Sequence, residues 1–370
     1  MKIGIITSPF GFLPPDGIGA VEKLWFYIAQ KFTIRGNDVK FYSKRPLHPT
    51  NGEMQIYGIT GYERTGSLKL DLIKDFFYSI KALVKLKRCD VLVLNTFWSP
   101  VLCLLFRWKY KKCVYNVARF PKGQFWLYYF VDQFSCVSTA VVKALESEIG
   151  KDKRIVMVNN PVELSDFQYA DEPENNKFII MYHGRVHPEK GLDILFEAVN
   201  QLHQKYPNIQ LKILGPTEIA KGGGGNKYVT KLNKICPNVK IEWIPAISNP
   251  KEIAFHLHSC NLYCYPSIAD YGETFGVSPL EAMSVGRATI VSNLDCFKDF
   301  IINGETGFIF NHHSCDSNKQ LAQIIEHLII DPILRKRVGL AACKKAKDFS
   351  VDKIADKYLC NFKTLLTIER

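Results

Sequence analysis

The sequence predicts an α/β protein made of two doubly wound parallel sheets. Short apolar runs alternate with segments of helical periodicity from the first residues onward. The alternation breaks once, at a polar and acidic stretch, and then restarts. A length of 370 residues suits two domains of ordinary size, and 47% hydrophobic with 23% charged residues excludes a disordered or fibrous chain.

The first strand is read at Lys2 to Ser8, followed by a loop, Pro9 to Gly19. A helix over Ala20 to Ile34 follows from the spacing of Val21, Leu24, Trp25 and Ile28, with Gly36 as its stop. Further strands are expected at Asp38–Ser43, Val91–Leu94, Lys112–Val117 and Phe134–Val137, with helices at Leu68–Arg88 and Ala140–Ile149. The stretch Glu163 to Lys177, with its acidic residues and Pro173, reads as the linker. Beyond it, strands are expected at Phe178–Tyr182, Gln210–Leu214, Lys240–Ile244, Leu262–Tyr265 and Ala288–Ser292. The helices between them are Leu192–Lys205, Val229–Ile235, Ile253–Ser259 and Leu280–Val285, and residues 346–370 form a last helical stretch.

Charge separates the halves. Residues 1–165 hold 24 Lys and Arg against 13 Asp and Glu, a net +11, whereas residues 166–370 hold 24 against 23, a net +1. The basic half therefore suits an anionic partner: nucleic acid, a membrane surface or a phosphorylated substrate. Basic Lys74, Lys81, Lys85 and Arg88 form one stripe of the helix at 68–88, and Leu72, Ile73, Phe76, Ile80, Leu83 and Val84 form another. That pattern fits either an anionic bilayer surface or a core-packed helix with a solvated face. The 11 cysteines contain no C-x-x-C pair, so they read as small buried apolar residues of a reducing compartment, and no metal site is expected. No run has the length of a membrane-spanning helix, and the N-terminus lacks the regions of a signal peptide, so a cytoplasmic location is expected.

In open parallel sheets, ligands bind beyond the carboxyl ends of the strands. Gly184-Arg185-Val186-His187-Pro188-Glu189-Lys190-Gly191 follows a strand directly, with a glycine for close approach and two cations that suit phosphate oxygens. Two solvated loop charges are the plainer reading. The segment Asp270 to Met283 places Glu273 and Glu281 around a turn and a helix start, where amides near Gly276, Val277 and Ser278 would face an anion. A carboxylate there can accept hydrogen bonds from the paired hydroxyls of a ribose or hexose. Alternatively, Ser278-Pro279-Leu280-Glu281 is a capping box, with Pro279 in the first helical position and Glu281 occupied by the helix end.

The two glutamates, with seven residues between them, within Gly-Glu-Thr-Phe-Gly-Val-Ser-Pro-Leu-Glu-Ala-Met, resemble the E-x7-E signature of the retaining GT-B glycosyltransferases of family 4. Gly184-Arg185 with Glu189-Lys190-Gly191, Asn159-Asn160-Pro161-Val162-Glu163 and Asn303-Gly304-Glu305-Thr306-Gly307-Phe308 are similar to other segments of that family. The resemblance implies two doubly wound Rossmann-like domains with an interdomain cleft. Residues 1–165, with a crossing helix at 346–370, would take the acceptor, and residues 166–345 the nucleotide-sugar. Arg185 and Lys190 would hold the donor diphosphate, Glu273 the sugar hydroxyls and Glu281 the ribose. Gly184, Thr274, Phe275, Gly276 and Val277 would meet sugar and phosphate, and Pro245 the base. Arg185, Lys190 and Glu273 would be the catalytic set.

Asp16-Gly17-Ile18-Gly19 resembles the family's glycine loop after the first strand, with Asp16 where a glycine is common and Gly17 and Gly19 toward the donor. Glu22, where a dehydrogenase fingerprint has its third glycine, excludes that fingerprint. The acceptor-domain histidine of many members has no counterpart: His48 alone precedes His183, so Arg119 and Lys122, after a strand, stand as acceptor-side candidates. The expected activity is retaining, metal-independent glycosyl transfer from a UDP- or GDP-type sugar, without cofactor, to a glycan or lipid-linked acceptor in cell-surface polysaccharide synthesis. A basic first half would let such an enzyme sit at the inner leaflet. The rival readings are an epimerase-like sugar-nucleotide enzyme and a non-catalytic membrane- or nucleic-acid-binding protein. For nucleic acid, no RNP-like or helix-turn-helix motif is present.

Overall fold

The computed structural model describes residues 1–13, 19–45, 54–174 and 176–368. Asp16, Gly17 and His48 lie outside the described residues. The chain divides into two compact units, residues 1–161 with 351–370, and residues 162–350.

The first unit begins with β1 (Lys2–Ile6), α1 (Ala20–Ile34), β2 (Asp38–Lys44), β3 (Gln55–Ile59) and α2 (Leu68–Lys85). It continues with β4 (Cys89–Leu94), the short α3 (Ser99–Leu102), β5 (Tyr110–Val117), β6 (Gln133–Cys136), α4 (Thr139–Ile149) and β7 (Ile155–Met157). Among the described residues these strands form one parallel sheet in the order β3-β2-β1-β4-β5-β6-β7. The apolar runs Ile5-Ile6 and Val91 to Leu94 are buried because helices cover both faces of such a sheet. Strands β3 and β7 lack a strong period-2 pattern in sequence and are edge strands, which explains why they are not expected from it.

The second unit holds β8 (Phe178–His183), α5 (Leu192–His203), β9 (Ile209–Leu214), α6 (Gly225–Ile235), β10 (Lys240–Ile244), α7 (Pro250–His258) and β11 (Leu262–Tyr265). It ends with α8 (Val277–Ser284), β12 (Ala288–Ser292), β13 (Phe308–Phe310), α9 (Ser317–Ile330) and α10 (Pro332–Ala346). Its sheet is also parallel, ordered β10-β9-β8-β11-β12-β13. The order reverses direction between β8 and β11, so the loops that leave these two neighbours diverge and open a crevice at the carboxyl end.

The acidic stretch expected as a linker is instead packed into this second unit. The buried guanidinium of Arg287 donates to the carbonyls of Ala170 (2.6 Å) and Asp171 (3.0 Å), and Arg335 pairs with Glu172 at 2.8 Å. A buried guanidinium has five donors to satisfy, and the polar composition of 163–177 serves that demand.

The last helix, α11 (Val351–Thr367), belongs to the first unit. Its buried residues Ile354, Ala355, Tyr358, Leu359 and Phe362 repeat at three- and four-residue spacing and meet Trp25, Ile28, Ala29 and Phe32 of α1. Trp25 and Tyr358 have ring centroids 4.9 Å apart. Arg35 pairs with Asp356 (2.6 Å) and Asp352 (3.2 Å), and Lys31 with Asp352 (2.9 Å), which fixes the register of the two helices.

Helix α2 departs from the expected stripe. Its buried positions are Asp75, Tyr78, Ser79, Ala82 and Leu83, whereas Leu68, Ile73, Phe77 and Val84 are more than half exposed. Asp75 sets this orientation: its carboxylate accepts from the amides of Trp98 (3.0 Å) and Phe97 (3.4 Å) and from the Ser79 hydroxyl (3.2 Å). Burial pushes its pKa above the ordinary carboxylate value, and these three donors oppose that shift.

Phe362 is fully buried between α11 and α1. Phe362→Ala should therefore destabilise the first unit by about 3–5 kcal/mol, the usual range for truncating a buried aromatic ring. Chemical denaturation followed by Trp25 fluorescence checks this, and a loss under 1 kcal/mol would mean that α11 is not part of that unit's core.

Candidate active site at the carboxyl end of the second sheet

Each parallel strand of the second unit delivers its exit loop to the same sheet end. The loop after β8 carries Gly184, Arg185 and Lys190, and the loop after β11 carries Glu273 through Gly276. Both loops flank the point where the strand order reverses.

Lys190 and Glu273 form an ion pair, Nζ to Oε2 at 2.7 Å, with side chains only 7% and 12% exposed. The Tyr265 hydroxyl donates to the same carboxylate oxygen at 3.0 Å. Tyr265 stacks on Tyr182, with centroids 5.4 Å apart, and the Tyr182 hydroxyl donates to the carbonyl of Arg185. Burial, and then the Glu273 charge, pushes the Tyr265 phenol well above its ordinary value, so it remains a donor. A lysine ammonium has three donors, and the pair with Glu273 engages one of them.

A second buried contact joins Glu281 of α8 to His183, the last residue of β8, at 2.7 Å. This overturns the capping-box alternative. Glu281 reaches across to another strand, α8 begins at Val277, and Pro279 is its third residue. Gly276, with φ 90°, precedes the helix, and no side chain caps it. The first-turn amides of Val277 and Ser278 are thus available to an anion, with Glu281 one turn further in. Thr274 is half-buried, and the Phe275 ring anchors the loop in the core against Phe300 and Phe349.

Arg185 is the exposed cation of the set. It pairs with Glu189 at 2.5 Å and donates to the carbonyl of Gly222 at 3.2 Å. The loop Gly222–Gly225 lies over it, with the Gly224 amide bonded to the carbonyl of Val186 at 2.7 Å. Gly215 (φ 147°) admits no side chain because a Cβ would strike the carbonyl of Gly184. That close approach brings the exits of β8 and β9 together.

The structure thus gathers Gly184, Arg185, Lys190, Glu273, Thr274, Phe275, Gly276, Val277 and Glu281 around one switch point. Pro245 is exposed at the end of edge strand β10, two strands from β8. Gly19, Arg119 and Lys122 belong to the first unit. There Gly19 packs against the buried carboxylate of Glu22, while Arg119 and Lys122 are exposed on the loop leaving β5. His183 and Tyr265, the partners of the two glutamates, are the residues that the sequence reading missed. Their one signal was position, at the last residue of a strand. A 740 Å³ groove lined by Glu172, Lys177, Lys205 and Arg335 opens at the amino-terminal end of β8 and β9, away from these residues.

Residues 166–345 match the family described as glycosyl transferases group 1. The capsular polysaccharide biosynthesis glycosyltransferase CapM of Staphylococcus aureus is 27% identical over 218 residues, which cover 56% of this chain and 54% of CapM. A phosphatidyl-myo-inositol mannosyltransferase of Mycobacterium leprae is 24% identical over 54% of this chain and 50% of its own length. The chain spans about half the length of these curated relatives. Among solved structures, sucrose-phosphate synthase from Thermosynechococcus elongatus superposes with a TM-score of 0.81 at 16% identity, covering 99% of both chains. Anabaena HepE, solved with UDP and glucose, gives 0.75 at 17% identity over all of both chains. Two parallel Rossmann-like sheets with these likenesses define the fold as GT-B. The match to the glycosyl transferases group 1 family spans residues 166–345, within a chain whose fold is GT-B.

Breaking a buried ion pair strands the remaining charge. Lys190→Ala and Glu273→Ala should each lower stability by about 3 kcal/mol, and the double variant should lose clearly less than their sum. Additive losses in urea melts of the four proteins would show that the two side chains do not interact.

Proposed function

We propose that this protein moves a glycosyl group, with retention of configuration, from a UDP- or GDP-type nucleotide-sugar to a glycan or lipid-linked acceptor in cell-surface polysaccharide synthesis. The observation that carries this reading is the pairing of Lys190 with Glu273 and of His183 with Glu281 across one switch point. Arg185, Lys190 and the open amides of α8 would meet the diphosphate. They would stabilise the charge that grows on it as the bond to the sugar breaks, with no metal or cofactor assigned to that step. Glu273 would accept from sugar hydroxyls and Glu281 from the ribose, while Gly17 and Pro245 would border the donor. Arg119, Lys122 and Asp16 would serve the acceptor from the first unit. CapM's role in capsular polysaccharide and HepE's complexes with UDP and UDP-glucose support the donor and acceptor classes. Epimerisation is the rival reading on the same fold, and a separate glycosylated acceptor distinguishes the two.

Titration with nucleoside diphosphates and a panel of UDP-, GDP- and ADP-sugars tests the assignment. Glu281→Ala should weaken nucleoside diphosphate binding about tenfold or more, as expected for a hydrogen bond to a charged group worth roughly 1.5–3 kcal/mol. Glu273→Gln should leave that affinity within about twofold but depress transfer at least tenfold, with wild-type transfer continuing in a chelator. Unchanged nucleotide binding in Glu281→Ala, alongside a lowered melting temperature, would make Glu281 structural. Loss of all wild-type transfer in chelator, restored by manganese, would refute the metal-independent step.

An anionic membrane surface is the partner we propose for the first unit. Helix α2 exposes Leu68, Ile73, Phe77 and Val84 beside Lys69, Lys81, Lys85 and the adjoining Arg88, and Leu105 and Trp108 of the neighbouring segment are also exposed. No helix among the described residues is long and apolar enough to cross a membrane. Insertion of side chains to interfacial depth with basic flanks is the mode this composition fits, at about 1 kcal/mol per basic residue. The cytoplasmic leaflet suits eleven cysteines, eight of them buried as small apolar side chains. Co-sedimentation with phosphatidylglycerol vesicles should weaken steeply with salt, and also on joint reversal of Lys81 and Lys85 to Glu. No sedimentation at low salt would remove the membrane partner and leave the transferase reading intact.

A further inference from the structure

We propose that Asp270, His312 and His313 form a binding site for a divalent transition metal, with zinc the best fit. Asp270 lies on the loop after β11, three residues before Glu273, and the two histidines follow β13. Oδ1 of Asp270 is 3.5 Å from Nε2 of His312 and 3.4 Å from Nε2 of His313, and the three ligand atoms lie within 4.8 Å of one another. Tetrahedral ligands at zinc–nitrogen and zinc–oxygen distances near 2.05 Å sit about 3.3–3.4 Å apart, so two edges of the triangle already have coordination spacing.

His312 supplies the second observation. Its side chain is 3% exposed, yet neither ring nitrogen has a hydrogen-bond partner, and Nε2 faces the Asp270 carboxylate. A buried imidazole left unsatisfied is unfavourable unless something else meets its lone pair. The surroundings hold the ligands in place. The Asn293 side chain accepts from the amide of His312 and donates to Asn311 Oδ1, which also accepts from the amide of His313. Two imidazoles and one carboxylate, with a fourth position left for water, are a donor set for zinc rather than for calcium or magnesium. None of the three residues is among those assigned to the donor. The metal therefore joins two loops, and through Asp270 it restrains the turn that carries Glu273. The amide of Glu273 closes that turn onto the carbonyl of Ala269 at 2.9 Å.

The test uses the full chain, reduced and stripped of metal, in a Cys315→Ser background so that the exposed thiol close by cannot supply binding. Calorimetry with zinc chloride should show one equivalent bound, and cobalt chloride should give the visible absorption of a low-coordinate site. Zinc should also raise the melting temperature. His313→Ala and Asp270→Asn, both at solvent-exposed positions that leave the core intact, should each weaken zinc binding at least tenfold, and their combination should abolish the cobalt spectrum. Absence of stoichiometric zinc binding, or binding that persists unchanged in the double variant, would overturn the site. Either result is independent of the transferase reading, because no step of it involves this metal.

Discussion

The ion pair between Lys190 and Glu273 is the contact on which the rest of the second unit's working end depends. Its two partners come from loops that leave adjacent parallel strands on opposite sides of the reversal in strand order, so without it nothing charged would hold those loops together. Both groups give up most of their hydration, and that loss is offset only by good geometry and further hydrogen bonds. The Tyr265 hydroxyl supplies one of these, and its stacking on Tyr182 carries the constraint back to the backbone of Arg185. The ammonium of Lys190 is thus preorganised by the carboxylate of Glu273. Charge stabilisation of this kind is effective because the site reorganises little when the reaction occurs.

Backbone approach supplies what the ion pair cannot. Gly191 adopts φ 64°, and a Cβ there would strike the carbonyl of Pro266, so the β8 loop touches the β11 loop only because that position is glycine. The amide of Ile268 then bonds to the carbonyl of Glu189 at 3.0 Å, tying the same two loops by their main chains. Helices α5 and α8 both start beside this seam, each preceded by a glycine in the left-handed region and without a side-chain cap. Two helix amino termini with open amides beside one crevice concentrate positive potential where an anion would lie.

Much of this was legible in the sequence for a physical reason. Parallel strands buried on both faces are written as unbroken apolar runs, and a carboxyl end can be marked by an abrupt turn to glycine and charge, as at Gly184-Arg185 directly after β8. The partners of those charges were not legible. Tyr265 and His183 belong to the apolar strand pattern itself, and only the register of β11 beside β8 shows that they face Glu273 and Glu281. Local rules failed where tertiary demand was stronger. Ser278 and Glu281 have capping-box spacing, but a buried histidine gives the carboxylate a better partner than a helix amide. The acidic stretch at 163–177 has linker composition, but the buried Arg287 and Arg335 need its carbonyls and carboxylate.

The orientation of α2 follows the same logic and links packing to the distribution of charge and apolar surface. An amphipathic helix normally turns its apolar stripe inward, and here one buried carboxylate prevents that. Asp75 must keep its donors at the amides of Phe97 and Trp98, which fixes the helix rotation and leaves Ile73, Phe77 and Val84 outside. An unsatisfied buried carboxylate would be costlier than several half-exposed apolar side chains, so the structure keeps the polar contact. Lys69, Lys81 and Lys85 of the same helix are exposed alongside the apolar side chains that the core did not take. The exposed apolar side chains of α2 are thus a consequence of satisfying Asp75 first, so a polar demand in the core, and not hydropathy alone, decides which face this helix shows to its surroundings.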